Sequence, residues 1–210
     1  MAAGGLRDRR HAQLRDEIVL AALPLFAARG FDAVTMDEIA EAAGISLSTL
    51  FRHVACKDDL LAGSVRPGGA MIVANFEESP VAEPARVALA QAILHRIEQF
   101  GGQARTVRLW RQAVASAPPR VRRAALLDED ERRGLVTLVA ARLVRQAGPP
   151  RRPELEAGVL VHMMLAAAEY AYGCWLDQPD GPSLHDLTWQ ALRLAVAPDE
   201  LPSPASPERG

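Results

Sequence analysis

Two helix-start signals lie close together near the N-terminus, and they constrain the fold more than any other feature of the sequence. In "VTMDEI", Thr35 is placed to cap a helix, and Glu38 stands at the position that completes a capping box. Ser46 repeats the cap signal in "GISLSTLF", directly after Gly44 and Ile45. The pattern predicts two short helices, Met36–Ala43 and Leu47–Val54, joined by a tight turn around Gly44. This arrangement is a helix-turn-helix.

The rest of the chain also has helical patterning. Apolar residues recur at helical spacing, as in Leu14, Ile18 and Ala22, and clear runs of alternating β-branched residues are missing. Gly30 fits the left-handed position that ends a first helix. Further helices are predicted over 57–78, with or without an interruption at "RPGGA", and over 84–100, 106–116, 120–146, 154–176 and 183–196. The fold expected from this periodicity is all-α, with about nine helices.

Composition excludes several classes of protein. The chain has 210 residues and 49% hydrophobic content, enough to bury a core. Its two cysteines, Cys56 and Cys174, cannot form a disulfide framework or a cysteine-rich zinc site. A net charge of −2 excludes a globally basic nucleic-acid binder but leaves room for a local basic patch. The N-terminal residues contain no apolar leader, so a cytoplasmic location is expected.

One apolar stretch, Leu155–Leu176, is long enough to imitate a membrane span. It contains Glu156, His162 and Glu169, and ionisable groups are expensive inside a bilayer. A helix covered by protein on more than one side fits better. We therefore expect no membrane partner.

Signatures of catalysis are also missing. The sequence contains no H-E-x-x-H, no glycine-rich phosphate loop and no G-x-S-x-G. His162 and Glu169 form the one internal acid–base pair, and no nucleophile accompanies them. We expect no catalytic residue, cofactor or metal, and a small helical enzyme is the least favoured alternative.

From Arg15 to Leu61 the sequence resembles the DNA-binding domain of the TetR family of bacterial transcriptional regulators. The match to the family pattern is nearly gapless. The matching residues are Ile18, Ala21, Ala22, Leu25, Phe26, Gly30, Phe31, Val34, Thr35, Met36, Ile39, Ala40, Ala43, Gly44, Ile45, Ser46, Thr49, Leu50, His53, Lys57 and Leu60. The resemblance implies a helix-turn-helix DNA-binding domain over residues 1–56. A helical ligand-binding and dimerisation domain is expected over 57–198, followed by a disordered tail over 199–210.

In a helix-turn-helix the second helix enters the major groove of DNA. The expected DNA-contacting residues are therefore Thr35, Ser46, Leu47, Ser48, Thr49, Phe51, Arg52, His53 and Lys57. Thr35 has two possible roles, as a helix cap and as a phosphate contact, and His53 either faces DNA or only packs. Lys57, the only lysine of the chain, suits a phosphate as a compact charge. Three residues depart from the family pattern, namely Phe51 in place of Tyr, Val54 in place of Phe, and Cys56 in place of Ser or Asn.

The resemblance also implies a homodimer formed by the last two helices, and hence an operator with an inverted repeat. It implies an unidentified small-molecule effector that releases a repressor from DNA. Candidate residues for the effector pocket are Trp110, His162, Met163, Glu169 and Tyr170, and ordinary core packing is the alternative for them. An activator, or a constitutive repressor without an effector, stays open at this point.

Overall fold

The computed structural model describes residues 3–62, 68–101, 104–122, 126–147 and 152–195. All regular secondary structure within these ranges is helical, which confirms the predicted all-α class. The eleven helices are α1 (Ala3–Arg29), α2 (Met36–Ala42), α3 (Leu47–His53), α4 (Lys57–Ala62), α5 (Gly68–Glu78), α6 (Ala85–Gly101), α7 (Ala104–Ala115), α8 (Pro119–Arg122), α9 (Glu129–Ala147), α10 (Pro153–Asp177) and α11 (Leu184–Ala195).

Internal contacts divide the chain into two units. Unit 1 comprises residues 1–66 and 103–124, with α1–α4, α7 and α8, and unit 2 comprises residues 67–102 and 125–210, with the other helices. The boundary between two compact units need not coincide with the boundary between two functional domains. The domain boundary after residue 56 therefore stays a prediction. The predicted tail, 199–210, lies outside the described residues.

The core of unit 1 forms where α1 meets α7 and the three short helices α2, α3 and α4. Side chains buried there include Ile18, Phe26, Ile39, Leu50 and Trp110. Full burial of a large apolar side chain contributes roughly 1.5–3 kcal/mol. Tertiary packing therefore stabilises α2 and α3, because isolated helices of seven residues are not stable in water.

The end of α1 is built as the sequence predicts. Gly30 has a φ of 82°, a left-handed conformation that favours glycine, and its N–H donates to the carbonyl of Phe26. The chain then folds back, so that the rings of Phe26 and Phe31 stack with their centroids 5.2 Å apart. The backbone N–H of Phe31 donates to Oγ of Ser116 at 3.0 Å, which ties the turn to the end of α7.

In unit 2, α10 packs against α9 and α11, and α5 packs against α6. Arg142 of α9 is almost fully buried and ends α5 by donating to the carbonyls of Phe76 and Ser79 and to Oγ of Ser79. Its guanidinium also lies over the Phe76 ring, 4.4 Å from the centroid. The buried charge is thus held by hydrogen bonds and a ring face.

The predicted single helix over 120–146 is wrong. The structure has α8, then α9 from Glu129. Asp128 starts α9, because its carboxylate accepts the N–H of Glu131 at 2.8 Å while Glu131 accepts the N–H of Asp128 at 2.9 Å. This reciprocal pair is a capping arrangement. The other helices were predicted within a few residues, apart from 57–78, where α4 and α5 lie on either side of residues that the structure does not describe.

Among the described residues, one helix, α10, is long and apolar enough to cross a membrane by length and composition. A core helix of a soluble protein passes the same test. One face of α10, with Val161, Met164, Leu165 and Ala168, is buried within unit 2. The sequence predicts that protein covers α10 on more than one side, but the face with Val159 and Tyr170 is exposed.

Candidate nucleic-acid interface

Local hydrogen bonds set the start of both short helices. The N–H of Glu38 donates to the Thr35 hydroxyl, and Glu38 in turn accepts the N–H of Thr35 at 2.8 Å. The N–H of Thr49 donates to Oγ of Ser46 at 3.2 Å. Between them Gly44 has a φ of 67°. The predicted capping box, second cap and glycine turn are all present.

Arg29 strengthens the first cap. Its guanidinium donates to Oε1 of Glu38 at 2.7 Å. The backbone N–H of Thr35 and then the Arg29 side chain lower the pKa of Glu38 from 4.5 to about 2. Thr35 is exposed and acts as the cap; its contact with a phosphate stays a prediction.

Helix α3 has one buried and one exposed face. Leu50 is fully buried at 0% exposure. Ser48 and Arg52 are exposed on the opposite side, and the ring of Phe51 is 51% exposed beside them. Leu47 and Thr49 are half-buried at the edges. Ser48, Phe51 and Arg52 therefore share the exposed face of α3, which is the geometry that a major-groove helix requires.

A chain of hydroxyl groups runs along this surface. Oγ of Ser46 lies 3.0 Å from Oγ of Ser48 and 2.9 Å from Oγ1 of Thr49. The guanidinium of Arg52 donates to Oγ1 of Thr49 at 3.0 Å. The arginine is thus held by a neutral hydroxyl, and its positive charge is not cancelled.

His53 stands at the end of α3, half-buried. Its ring lies 3.9 Å from that of His11 of α1, tilted by 34°. Burial, followed by the neighbouring charges of His11 and Arg52, lowers the pKa of His53. The His53 ring is therefore neutral over a wider pH range than the ring of a free histidine. Both predicted roles, packing and contact with DNA, are compatible with this.

The geometry argues against a phosphate contact by Lys57. Nζ of Lys57 donates to the carbonyls of Phe31 and Val34 at 2.8 Å each, and to that of Asp32 at 3.3 Å. It also lies 4.7 Å from the centroid of the Phe31 ring. An ammonium has three N–H groups, and all three are occupied. The lone lysine holds the turn between α1 and α2 in place, and a phosphate contact would require these bonds to break.

The five residues expected to line an effector pocket are divided between the two units. Trp110 is buried in unit 1, where Nε1 donates to the carbonyl of Leu61 at 3.4 Å. On α10, His162 and Met163 are exposed, and Tyr170 is 75% exposed. Glu169 accepts the N–H of Leu126 at 3.3 Å and lies 3.9 Å from Arg132. Glu169 is therefore engaged within unit 2, whereas His162, Met163 and Tyr170 are exposed.

A groove of about 290 Å³ lies instead over the seam between α5 and α6 of unit 2. Its lining combines polar and apolar surface in about equal parts: Asn75, Glu78, Ser79, Pro80, Ala88, Gln91, Ala92 and His95. Sequence reasoning missed it. The available signal was the spacing of Ala88, Gln91 and His95, which places them on one helical face. Among the described residues, no group of three His, Cys, Asp or Glu could hold a metal ion.

Comparison with known proteins agrees with this geometry. Residues 18–63 match the family model "Bacterial regulatory proteins, tetR family". The transcriptional regulator TcmR of Streptomyces glaucescens is 32% identical over 96 residues, which cover 44% of this chain and 42% of TcmR. MftR, a proposed mycofactocin biosynthesis transcriptional regulator of Mycobacterium tuberculosis, is 48% identical over 50 residues, covering 24% of this chain and 25% of MftR. The chain thus spans less than half of either relative.

Among solved structures, SmeT, the repressor of the Stenotrophomonas maltophilia multidrug efflux pump SmeDEF, has the same fold. The TM-score is 0.56 at 18% identity, with 88% of this chain and 89% of SmeT covered. The caps, the glycine turn and the exposed face of α3 lie within the matched residues 18–63. Over these residues, the chain is similar to the tetR family of bacterial regulatory proteins.

Proposed function

We propose that the protein is a sequence-specific, DNA-binding transcriptional regulator that acts in the bacterial cytoplasm as a homodimer. The observation that carries this proposal is the exposed face of α3. Ser48, Phe51 and Arg52 are directed away from the core, on a helix whose start is fixed by the Ser46 cap. Exposure of an aromatic ring and an uncancelled positive charge on one short helix suits contact with base edges and phosphates.

The proposed dimer is supported by the outer face of α10 and by α11. Apolar side chains follow α10 at helical spacing and are exposed, namely Leu155, Val159, Met163 and Tyr170, and Leu194 of α11 is 91% exposed. Several large apolar side chains exposed on neighbouring helices are typical of an interface. A two-fold dimer through α10 and α11 would present two copies of α3 to an inverted repeat in DNA.

We propose further that a small molecule bound to unit 2 releases the dimer from DNA, so that the protein is a repressor. SmeT, which has the same fold, is a repressor. The groove between α5 and α6 is the candidate site for the effector in place of the five residues predicted from sequence. By linkage, an effector that weakens DNA binding must itself bind more weakly to the DNA-bound protein, by the same factor.

The test is selection of bound fragments of the source genome by the full chain, followed by titration of the enriched fragment at two salt concentrations. We expect an inverted repeat with steep salt dependence, because phosphate contacts release counterions. Ser48→Glu is expected to abolish enrichment, since it places a negative charge on the exposed face of α3. It should leave the fold intact, because acidic residues are favourable in a first helical turn.

Thr137→Glu, an exposed position of α9 in unit 2, is the matched control and should retain binding. Failure of the wild-type chain to enrich any site would refute sequence-specific binding. Equal binding by Ser48→Glu would refute the role of α3. A reporter gene behind the enriched site then gives the sign of regulation, with repression expected.

A further inference from the structure

We infer that Arg52 reads a guanine in each half-site of the operator, and that Thr49 positions it to do so. This inference rests on the proposed function. It adds the base that is read, the side chain that reads it and the residue that orients this side chain.

The position of Arg52 on α3 is the first support. Two residues along an α-helix correspond to a rotation of about 200°. Arg52 and Ser48 each stand two residues from Leu50, which is fully buried. They therefore lie on the midline of the exposed face, directly opposite the core. Ser48 is small and lets the first turn approach the bases, while the long side chain of Arg52 reaches from the second turn.

The charge of Arg52 is the second support. Two other arginines of unit 1 are paired with carboxylates, Arg29 with Glu38 and Arg120 with Asp58. Among the described residues, no carboxylate lies within ion-pair distance of Arg52, whose hydrogen bond goes to the hydroxyl of Thr49. Its full charge is therefore available to DNA. The other basic residue of α3 is His53.

The orientation of the guanidinium is the third support. The bond from Nη2 to Oγ1 of Thr49 is 3.0 Å long, and Thr49 is itself held by Ser46 at 2.9 Å. An exposed arginine otherwise samples many rotamers, and ordering it on binding costs free energy. The hydroxyl chain restricts this freedom before DNA is met. Thr49 is thus a positioning residue, acting through Arg52.

Guanine is the base that matches this group. A guanidinium has five N–H donors and no acceptor, and one donor is used by Thr49. The free donors of the fork fit a base edge with two adjacent acceptors. In the major groove guanine offers O6 and N7, whereas adenine pairs an acceptor with a donor and thymine offers O4 alone. A bidentate contact is therefore available to guanine only.

The test uses the enriched operator and measures the dissociation constant for every single base-pair change in both half-sites. For the wild-type chain we expect one symmetric G·C pair per half-site whose replacement weakens binding roughly 5- to 150-fold, as for other bidentate contacts. Arg52→Ala should bind the four base pairs at that position within about threefold of each other, since alanine offers no donor to the guanine edge. Arg52→Lys should keep the salt dependence of the wild type, because it keeps the charge.

Thr49→Ala should reduce the preference for guanine in part, and Thr49→Ser should restore it, because serine keeps the hydroxyl. Arg108→Ala is the matched control: it removes one exposed positive charge from unit 1 outside α3 and should leave the base preference unchanged. Circular dichroism melting curves of all variants should overlay that of the wild type, as expected for exposed or half-exposed positions.

Two results would overturn the inference while the proposed function stands. A uniform loss of affinity in Arg52→Ala across all sites, with the salt slope lowered by about one per contact, would assign Arg52 to a phosphate. An unchanged guanine preference in Thr49→Ala would remove the positioning role. If the wild-type chain selects no site at all, the proposed function fails first, so the two failures are distinct.

Discussion

Replacing Lys57 with methionine is expected to destabilise unit 1 rather than only weaken DNA binding. The substitution keeps most of the apolar stem and removes the ammonium that donates to the carbonyls of Phe31, Asp32 and Val34. Two of these bonds are 2.8 Å long, and the third, at 3.3 Å, is weaker. The turn that leads from α1 into α2 would lose its central donor.

The magnitude follows from these contacts. A hydrogen bond to a charged group contributes about 1.5–3 kcal/mol net. The two short bonds at the lower end of that range total about 3 kcal/mol, and the contact with the Phe31 ring adds about 0.5–1 kcal/mol. Water can replace part of this, because Lys57 is only half-buried. We expect a net loss of about 2–4 kcal/mol in the free energy of unfolding of unit 1.

Urea unfolding, together with hydrogen exchange of the α2 and α3 amides, measures this loss and assigns it to unit 1. The matched control is Arg52→Met, which removes an exposed cation nearby and should change stability by no more than about 0.5 kcal/mol. If Lys57→Met unfolds like the wild type but loses DNA affinity, with a salt slope lower by about one per contact, the structural role is refuted and a phosphate contact is supported.

Three further predictions concern other parts of the fold. Glu38→Gln should lower the free energy of unfolding of unit 1 at neutral pH. The difference in this free energy from wild type should shrink as pH falls from 4.5 to about 2, because the stabilisation by a carboxylate of lowered pKa is lost in that window. A pH-independent difference in urea unfolding would contradict this. Val159→Glu should convert the proposed dimer into a monomer in size-exclusion chromatography with light scattering, whereas Thr137→Glu should stay dimeric; a dimeric Val159→Glu would place the interface elsewhere. Arg142→Met should lower the free energy of unfolding by about 2–4 kcal/mol in urea, because it leaves carbonyls at the end of α5 without donors. Arg145→Met, at an exposed position, should lower it by less than about 0.5 kcal/mol. Equal effects of the two substitutions would refute the role of Arg142.

The parts of the interface that were predictable from sequence are those governed by neighbours along the chain. A Thr and a Glu three residues apart, followed by a Gly and a second cap residue, define α2, the turn and the start of α3 with local hydrogen bonds alone. Asp128 and Glu131 give the same kind of signal at the start of α9, within a charged stretch for which the sequence predicts a single helix.

Features that depend on distant residues were not predictable in this way. The partners of Lys57 lie more than twenty residues earlier in the chain, so its structural role follows only from the folded turn. Likewise, apolar residues on every side of α10 do not reveal which side is covered. Met163 and Tyr170 were expected in a pocket, but they lie on the exposed face, which is the face that a second copy of the chain would cover.

Photo-crosslinking shows whether α3 is the element that contacts the bases of DNA. The full chain would carry p-benzoylphenylalanine in place of Phe51, which is exposed on α3, or in place of Val144, which is exposed on α9 of unit 2. With the enriched operator, we expect cross-links from position 51 to bases at two symmetric places, about 10 base pairs or a multiple of that distance apart, and none from position 144. Cross-links from position 144, or none from position 51 on a fragment that is bound tightly, would contradict it.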